Sequence, residues 1–311
     1  MRFAIVKCHG SGNDFPMIDA RALTLSDTQW AGVARALADR AGPVGGDGLL
    51  LLVPGDDRAE FGMVMRNSDG SEAETCLNGV RCVARAGFEA LGINAATVRL
   101  KTSYASASHD ADLMPGVYTV RETAGPAGLS TAAWPIHGAL ERLVDAVLPM
   151  LAPARRFTAV TMPNPHFVHF VEAVDEAELV RLGEICEAAP DWLPNRANVS
   201  FVEVRGDSLF VRTFERGVGL TDSCGSAMAA STYAACLTGR IAWDRPTVVF
   251  NRGGLVRAFA GEDGMVTLSG NATYEWAGSV TVDLDTETAR DLVVERRFPD
   301  EIAAWEAAKR G

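Results

Sequence analysis

Short runs of β-branched and aromatic residues, bounded by Gly, Asp or Asn, recur along the chain, and this is strand chemistry. They predict strands at 3–6, 49–53, 61–66, 97–100, 117–120, 167–171, 200–204, 209–214, 247–250, 255–259, 265–268 and 280–284. Apolar residues return at three- and four-residue intervals in 27–38, 78–91, 140–151, 176–186 and 226–237, which predicts helices there. Strands outnumber helices and the two are interleaved. The expected fold class is α+β, rich in strands.

An internal echo carries more than any single element, because a repeat redefines the whole fold. The stretch leading through Arg66, Asn67 and Gly70 to Cys76 shares a plan with the stretch leading through Phe214, Glu215 and Gly217 to Cys224. Each is a strand, a polar glycine-containing loop and a cysteine directly before a helix of small residues. The echo predicts two similar domains, 1–122 with Cys76 and 123–279 with Cys224. The strand at 280–284 is expected to return to the first domain, and 286–311 reads as a charged, helix-prone tail.

Length agrees with two domains, since 311 residues exceed the roughly 250–300 at which one core stops growing. With 48% hydrophobic and 22% charged residues the composition is that of an ordinary globular protein. A net charge of −11 argues against nucleic acid and against an anionic membrane surface, both of which would repel it. The expected partner is therefore a small molecule. The first apolar stretch is shorter than the roughly 7–15 residues of a signal-peptide core. No apolar run approaches the roughly 20 residues of a membrane span. A cytoplasmic location is expected, with a homodimer as the assembly left open.

Six cysteines in a chain this long, without Cys-x-x-Cys spacing or histidines clustered near them, suit neither a disulfide framework nor a zinc site. What remains is packing or reactivity. Cys82 and Cys236 lie further along the predicted helices and read as core residues. Cys76 and Cys224 sit at helix starts, where unsatisfied N–H groups and the positive end of the dipole favour a thiolate. The backbone N–H groups of Leu77, Asn78, Gly225 and Ser226 at the same helix starts suit a carboxylate. An α-amino acid held there would present its α-carbon to both sulfurs. Donors aimed at the carboxylate are what proton removal beside it requires.

At this point the residues resemble a known family. The opening Lys7-Cys8-His9-Gly10-Ser11-Gly12-Asn13-Asp14-Phe15, the block Asn67-Ser68-Asp69-Gly70-Ser71-Glu72 before Cys76, Asn164-Pro165-His166, Asn198-Val199, and Glu215-Arg216-Gly217-Val218-Gly219 before Cys224-Gly225-Ser226 are similar to those of the diaminopimelate epimerases. The resemblance runs in order over about 1–285. It implies two pseudo-symmetric domains, each a barrel-like, mostly antiparallel sheet around a central helix, and catalysis with no pyridoxal phosphate and no metal. It also implies that Cys76 and Cys224 are the catalytic pair and that Asn13, Asn67, Asn164, Asn198, Glu215 and Arg216 contact substrate. Amides, one fixed cation and one anion are what a diamino dicarboxylate needs. His166 is expected to orient a proton-transfer partner. The implied reaction interconverts the LL and meso forms of diaminopimelate, for lysine and cell-wall synthesis.

The chain departs from the family pattern at Leu77, where glycine is usual, at Leu220, where glutamate is usual, and through 103–157, which matches poorly. These departures bear on pocket shape more than on reaction type. A racemase of the same family acting on histidine or a secondary-metabolite precursor is the alternative they favour. A hydrolase or thiol transferase using one cysteine with His166, and a binding module without turnover, are rivals from other classes.

Overall fold

The structure, a computed structural model, describes residues 1–73, 76–132, 134, 136–137 and 141–310. The chain divides into two compact units, one formed by Met1–Glu122 with Ser269–Gly311 and the other by Thr123–Leu268.

The first unit runs through β1 (Arg2–Gly10), β2 (Asn13–Asp19), α1 (Asp27–Ala38), β3 (Gly48–Asp56), β4 (Ala59–Asn67), α2 (Leu77–Leu91), β5 (Ala95–Arg99), β6 (Tyr104–Asp110) and β7 (Thr119–Ala124), which ends at the boundary. The second runs through β8 (Ala146–Leu148), β9 (Ala152–Thr161), β10 (Pro165–Val171), α3 (Glu176–Glu187), β11 (Asn198–Arg205), β12 (Ser208–Glu215), β13 (Gly219–Thr221), α4 (Gly225–Leu237), β14 (Thr247–Phe250), β15 (Leu255–Ala260) and β16 (Val266–Asn271). The chain then returns to the first unit with β17 (Thr273–Asp283), β18 (Thr288–Arg297) and α5 (Pro299–Ala308).

Strand pairing repeats between the units. From β1 to β6 successive neighbours are antiparallel, parallel, antiparallel, parallel and antiparallel. The series β9, β10, β11, β12, β14 and β15 follows the same order. Helices α1 and α3 fill the first parallel crossover, and α2 and α4 fill the second. The two units are pseudo-symmetric copies of one mixed α/β plan.

Helix α2 packs against β1 through β6, and α4 against β9 through β12, β14 and β15, so each sheet curls around its own helix. Sequence explains why these two helices are central. Residues of α4 from Gly225 to Cys236 are all buried, many of them alanine, and a helix apolar on every side is a buried one. In α2 the turns carry Gly79, Val80, Cys82, Val83, Ala84 and Gly87, all buried. By contrast α1, with a Ser26–Gln29 capping box and a half-buried face, covers the outside of its sheet.

The helix expected over 140–151 does not form. Leu140 lies outside the described residues, and 141–151 holds a turn and the short β8, whose Ala146 pairs with Phe157. Two local features oppose a helix there, Asp145 at φ 42° and Pro149, which cannot donate to the helical ladder. Leu143, Leu148 and Leu151 are buried with Trp134, Phe157 and Phe167 instead. The tail also differs from expectation, since 288–297 is a strand paired to β17 and only Pro299–Ala308 is helical. Arg85 of α2 fixes that helix by a paired contact with Glu301 at 2.6 and 2.8 Å.

Candidate functional site

Cys76 and Cys224 occupy the same place in the two units. Each is the N-cap of the central helix, with nearly the same extended backbone: φ −152°, ψ 98° at Cys76 and φ −133°, ψ 109° at Cys224. Their carbonyls accept from Val80 and Met228, closing the first helical turn. The N–H groups of Leu77 and Asn78, and of Gly225 and Ser226, belong to that first turn, where no intrahelical acceptor exists for them. The Leu77 side chain is buried.

In the first unit the Cys76 sulfur accepts from the Gly79 N–H at 3.3 Å and lies 3.8 Å from Asn13 Oδ1. Asn13 Nδ2 donates to Asp47 at 2.5 Å. Asn78 Nδ2 donates to Asn13 Oδ1 at 3.4 Å, and Asn78 Oδ1 accepts from Arg81 at 2.6 Å. Thus Asn13, Cys76 and Asn78 are brought together. Asn67, at the end of β4, bonds within its own turn to Ser71, through both backbone and side chain.

In the second unit Cys224 is buried and its sulfur lies 3.4 Å from the Ser226 hydroxyl. Burial pushes this thiol well above its ordinary value, and the charge of Glu215 pushes it further. The Ser226 hydroxyl and the Ala227 N–H oppose the rise without overcoming it. The expectation that a helix start makes a thiolate fails at Cys224, because desolvation and a neighbouring carboxylate outweigh the dipole. Ser226, read from sequence as a backbone donor only, also contributes its hydroxyl.

Glu215 ends β12, where Thr221 of β13 donates to it at 2.5 Å. The Arg216 backbone N–H donates to Asn198 Oδ1 at 2.9 Å, and its guanidinium donates to the Asn195 carbonyl at 3.2 Å. Arg216 lines a cavity of about 390 Å³ together with Trp134, Pro163, Pro165, Asn195 and Arg196. His166 pairs with Asn198 across β10 and β11, and its Nε2 meets Asn164 Oδ1 at 3.0 Å. It is fully buried, and burial together with the Arg216 charge lowers its pKa to about 3. His166 is therefore neutral at physiological pH and acts on Asn164 rather than as a charged group.

Sequence reasoning missed Asp47, Arg81, Thr221 and the cavity wall at Trp134 and 194–196. Arg81 carried a readable signal, a cation one turn into a mostly apolar helix, with Arg85 one turn further on.

Pseudo-symmetric sheets, each wrapped on a buried helix that starts at a cysteine, define the two-domain architecture found in the solved structure of a predicted epimerase from Pseudomonas aeruginosa. That structure is similar at a TM-score of 0.67 and 16% identity, over 90% of this chain and 100% of that one. The profile of the diaminopimelate epimerase family matches residues 5–106 and 158–275. The diaminopimelate epimerase of Clostridium acetobutylicum is 36% identical over 97% of this chain and 92% of its own length, and that of a Listeria monocytogenes strain is 34% identical over 93% and 92%. This chain belongs to the diaminopimelate epimerase family. The segment between the two matched stretches, 107–157, includes Trp134 and most of the 103–157 stretch, whereas Leu77 and Leu220 lie within the matched stretches.

Proposed function

We propose that this protein is an isomerase that epimerises diaminopimelate between its LL and meso forms, with Cys76 and Cys224 as the two acid–base groups. The observation that carries this reading is the matched placement of the two cysteines as N-caps of the two central helices, in a chain of this family. One sulfur removes the α-proton and the other returns a proton to the opposite face, so both inverted configurations are reached without a cofactor. Resting Cys224 carries its proton, which suits it to deliver one. Backbone N–H groups of Leu77, Asn78, Gly225 and Ser226 serve the carboxylate on which charge develops. Asn13, Asn67, Asn164 and Asn198 supply amide contacts, Arg216 a cation for the distal carboxylate, and Glu215 an anion for an amine.

No described helix is long and apolar enough to cross a membrane. The reading places the enzyme in the cytoplasm, where a reducing environment keeps both catalytic sulfurs free.

The test is turnover in heavy water. With two bases, the group that delivers the proton has exchanged with solvent while the other holds the proton just removed. Product should gain deuterium early while recovered substrate stays largely unlabelled. Cys76→Ala and Cys224→Ala should each abolish inversion, since a general acid or base contributes about 10²–10⁴-fold. Equal labelling of substrate and product from the first turnover, or near-normal rates in Cys224→Ala, would refute the two-cysteine reading. A parallel panel of other free amino acids, histidine included, separates diaminopimelate from the alternative substrates.

A further inference from the structure

Arg81 is fully buried, and four of its N–H bonds are committed. It donates to Glu122 at 2.6 Å, to the Asn271 carbonyl at 3.2 Å, to the Ser11 hydroxyl at 3.1 Å and to Asn78 Oδ1 at 2.6 Å. Its slot is built for it. A Cβ on Gly10 would come within 3.0 Å of the guanidinium, and one on Gly270 within 2.6 Å, so two glycines leave the space. Glu122, also fully buried, pairs with the guanidinium, whose charge opposes without overcoming the burial that raises the Glu122 carboxyl to about 7. A buried ion pair is weak evidence of stability, since desolvation offsets much of the attraction. Its value here must be sought in what it holds.

What it holds is the orientation of two amides. An arginine can only donate, so it must face the carbonyl oxygen of Asn78, and Asn78 then turns Nδ2 towards Asn13. At the other end the Asp47 carboxylate can only accept, so it must face Nδ2 of Asn13. The two ends independently require the same arrangement, in which Asn13 turns its oxygen to Asn78 and to the Cys76 sulfur. An oxygen lone pair beside the sulfur favours the thiol over the thiolate, which makes the thiolate the stronger base.

We propose that Arg81, held by Glu122, is a positioning residue for Cys76: through Asn78 it fixes the Asn13 carboxamide with its oxygen towards the sulfur. This rests on the reading of Cys76 as an acid–base group. Loosening Asn78 leaves the Asn13 carboxamide held at one end only, by Asp47, so that it turns and presents an N–H to the sulfur for part of the time, which stabilises the thiolate and weakens it as a base.

The test measures the pH midpoint for alkylation of Cys76, read by mass spectrometry of the Cys76 peptide, beside kcat and KM. Arg81→Lys keeps the charge and loses the fork, and Asn78→Ser keeps the helix start and loses the bridge. Both should lower the midpoint by about half a pH unit or more, with kcat down on the order of tenfold and KM little changed. Glu122→Gln removes a charge but retains an acceptor for Arg81, and should leave the midpoint near that of the parent. An unchanged midpoint in folded Arg81→Lys or Asn78→Ser overturns the proposal. A shift in Glu122→Gln as large as in Arg81→Lys also overturns it, in favour of bare electrostatics. If the parent turns over no amino acid, the functional reading fails, whereas the alkylation midpoints still decide the relay.

Discussion

Asn198 accepts the backbone N–H of Arg216 at 2.9 Å, so a side chain at the start of β11 fixes the residue just past the end of β12. Asn198 is almost wholly buried, and its acceptor is committed to main chain. Asn198→Ala leaves that N–H without its partner and should cost about 1–3 kcal/mol of stability. Catalytic efficiency should fall as well, because Arg216 loses the contact that anchors its backbone. Thermal unfolding beside steady-state kinetics checks both, and an unaltered kcat/KM would show that the Asn198 contact is structural only.

Arg216→Met should weaken turnover of diaminopimelate much more than it harms folding. A charge-assisted contact to a carboxylate is worth roughly 1.5–3 kcal/mol, so about a ten- to hundredfold loss of kcat/KM is expected. Unchanged kinetics would remove Arg216 from the distal carboxylate and with it a main argument for this substrate.

Glu215→Gln should make Cys224 more acidic. The carboxylate raises the thiol, so its removal lowers the pH at which a small alkylating reagent modifies Cys224. Activity should fall at the same time if Glu215 holds an amine. A Cys224 midpoint that stays or rises in the folded variant would contradict this account of the sulfur.

His166 shapes acid stability. Its folded value of about 3 lies below the ordinary 6.5, so between those values the unfolded chain binds a proton that the folded protein does not. Its contribution to stability is therefore undiminished above pH 6.5 and lost as pH falls, by about 2 kcal/mol at pH 5. His166→Asn should narrow the gap between unfolding temperatures at pH 7 and pH 5. An equal gap in both proteins would show that His166 is not held neutral.

Much of this protein is determined by sequence alone. Helices over 27–38 and 176–187 follow from local capping and periodicity, and the two central helices follow from runs of small residues that no surface position would require. The two cysteines are legible because each stands at a helix start after a strand and a polar loop. Strands β2 and β6 were not legible, since Pro16 interrupts one and small alternating residues, Ala105 and Ala107, form the buried face of the other. The region 141–151 looked helical by spacing and became partly strand, because pairing with β9 and burial of three leucines outweighed periodicity.

Only the tertiary structure decided the chemistry of individual groups. A helix start by itself favours a thiolate, yet Cys224 is a thiol because the fold buries it and sets Glu215 beside it. His166 reads from sequence as a residue that orients a proton-transfer partner, and it is neutral because strands enclose it. Asp47 and Arg81 govern Asn13 from opposite sides, across separations of 34 and, through Asn78, 65 residues. Pattern in a sequence reports the neighbours a residue has along the chain. Proton affinity and amide orientation depend on the neighbours it acquires across space, and those exist only once the sheet has closed on its helix.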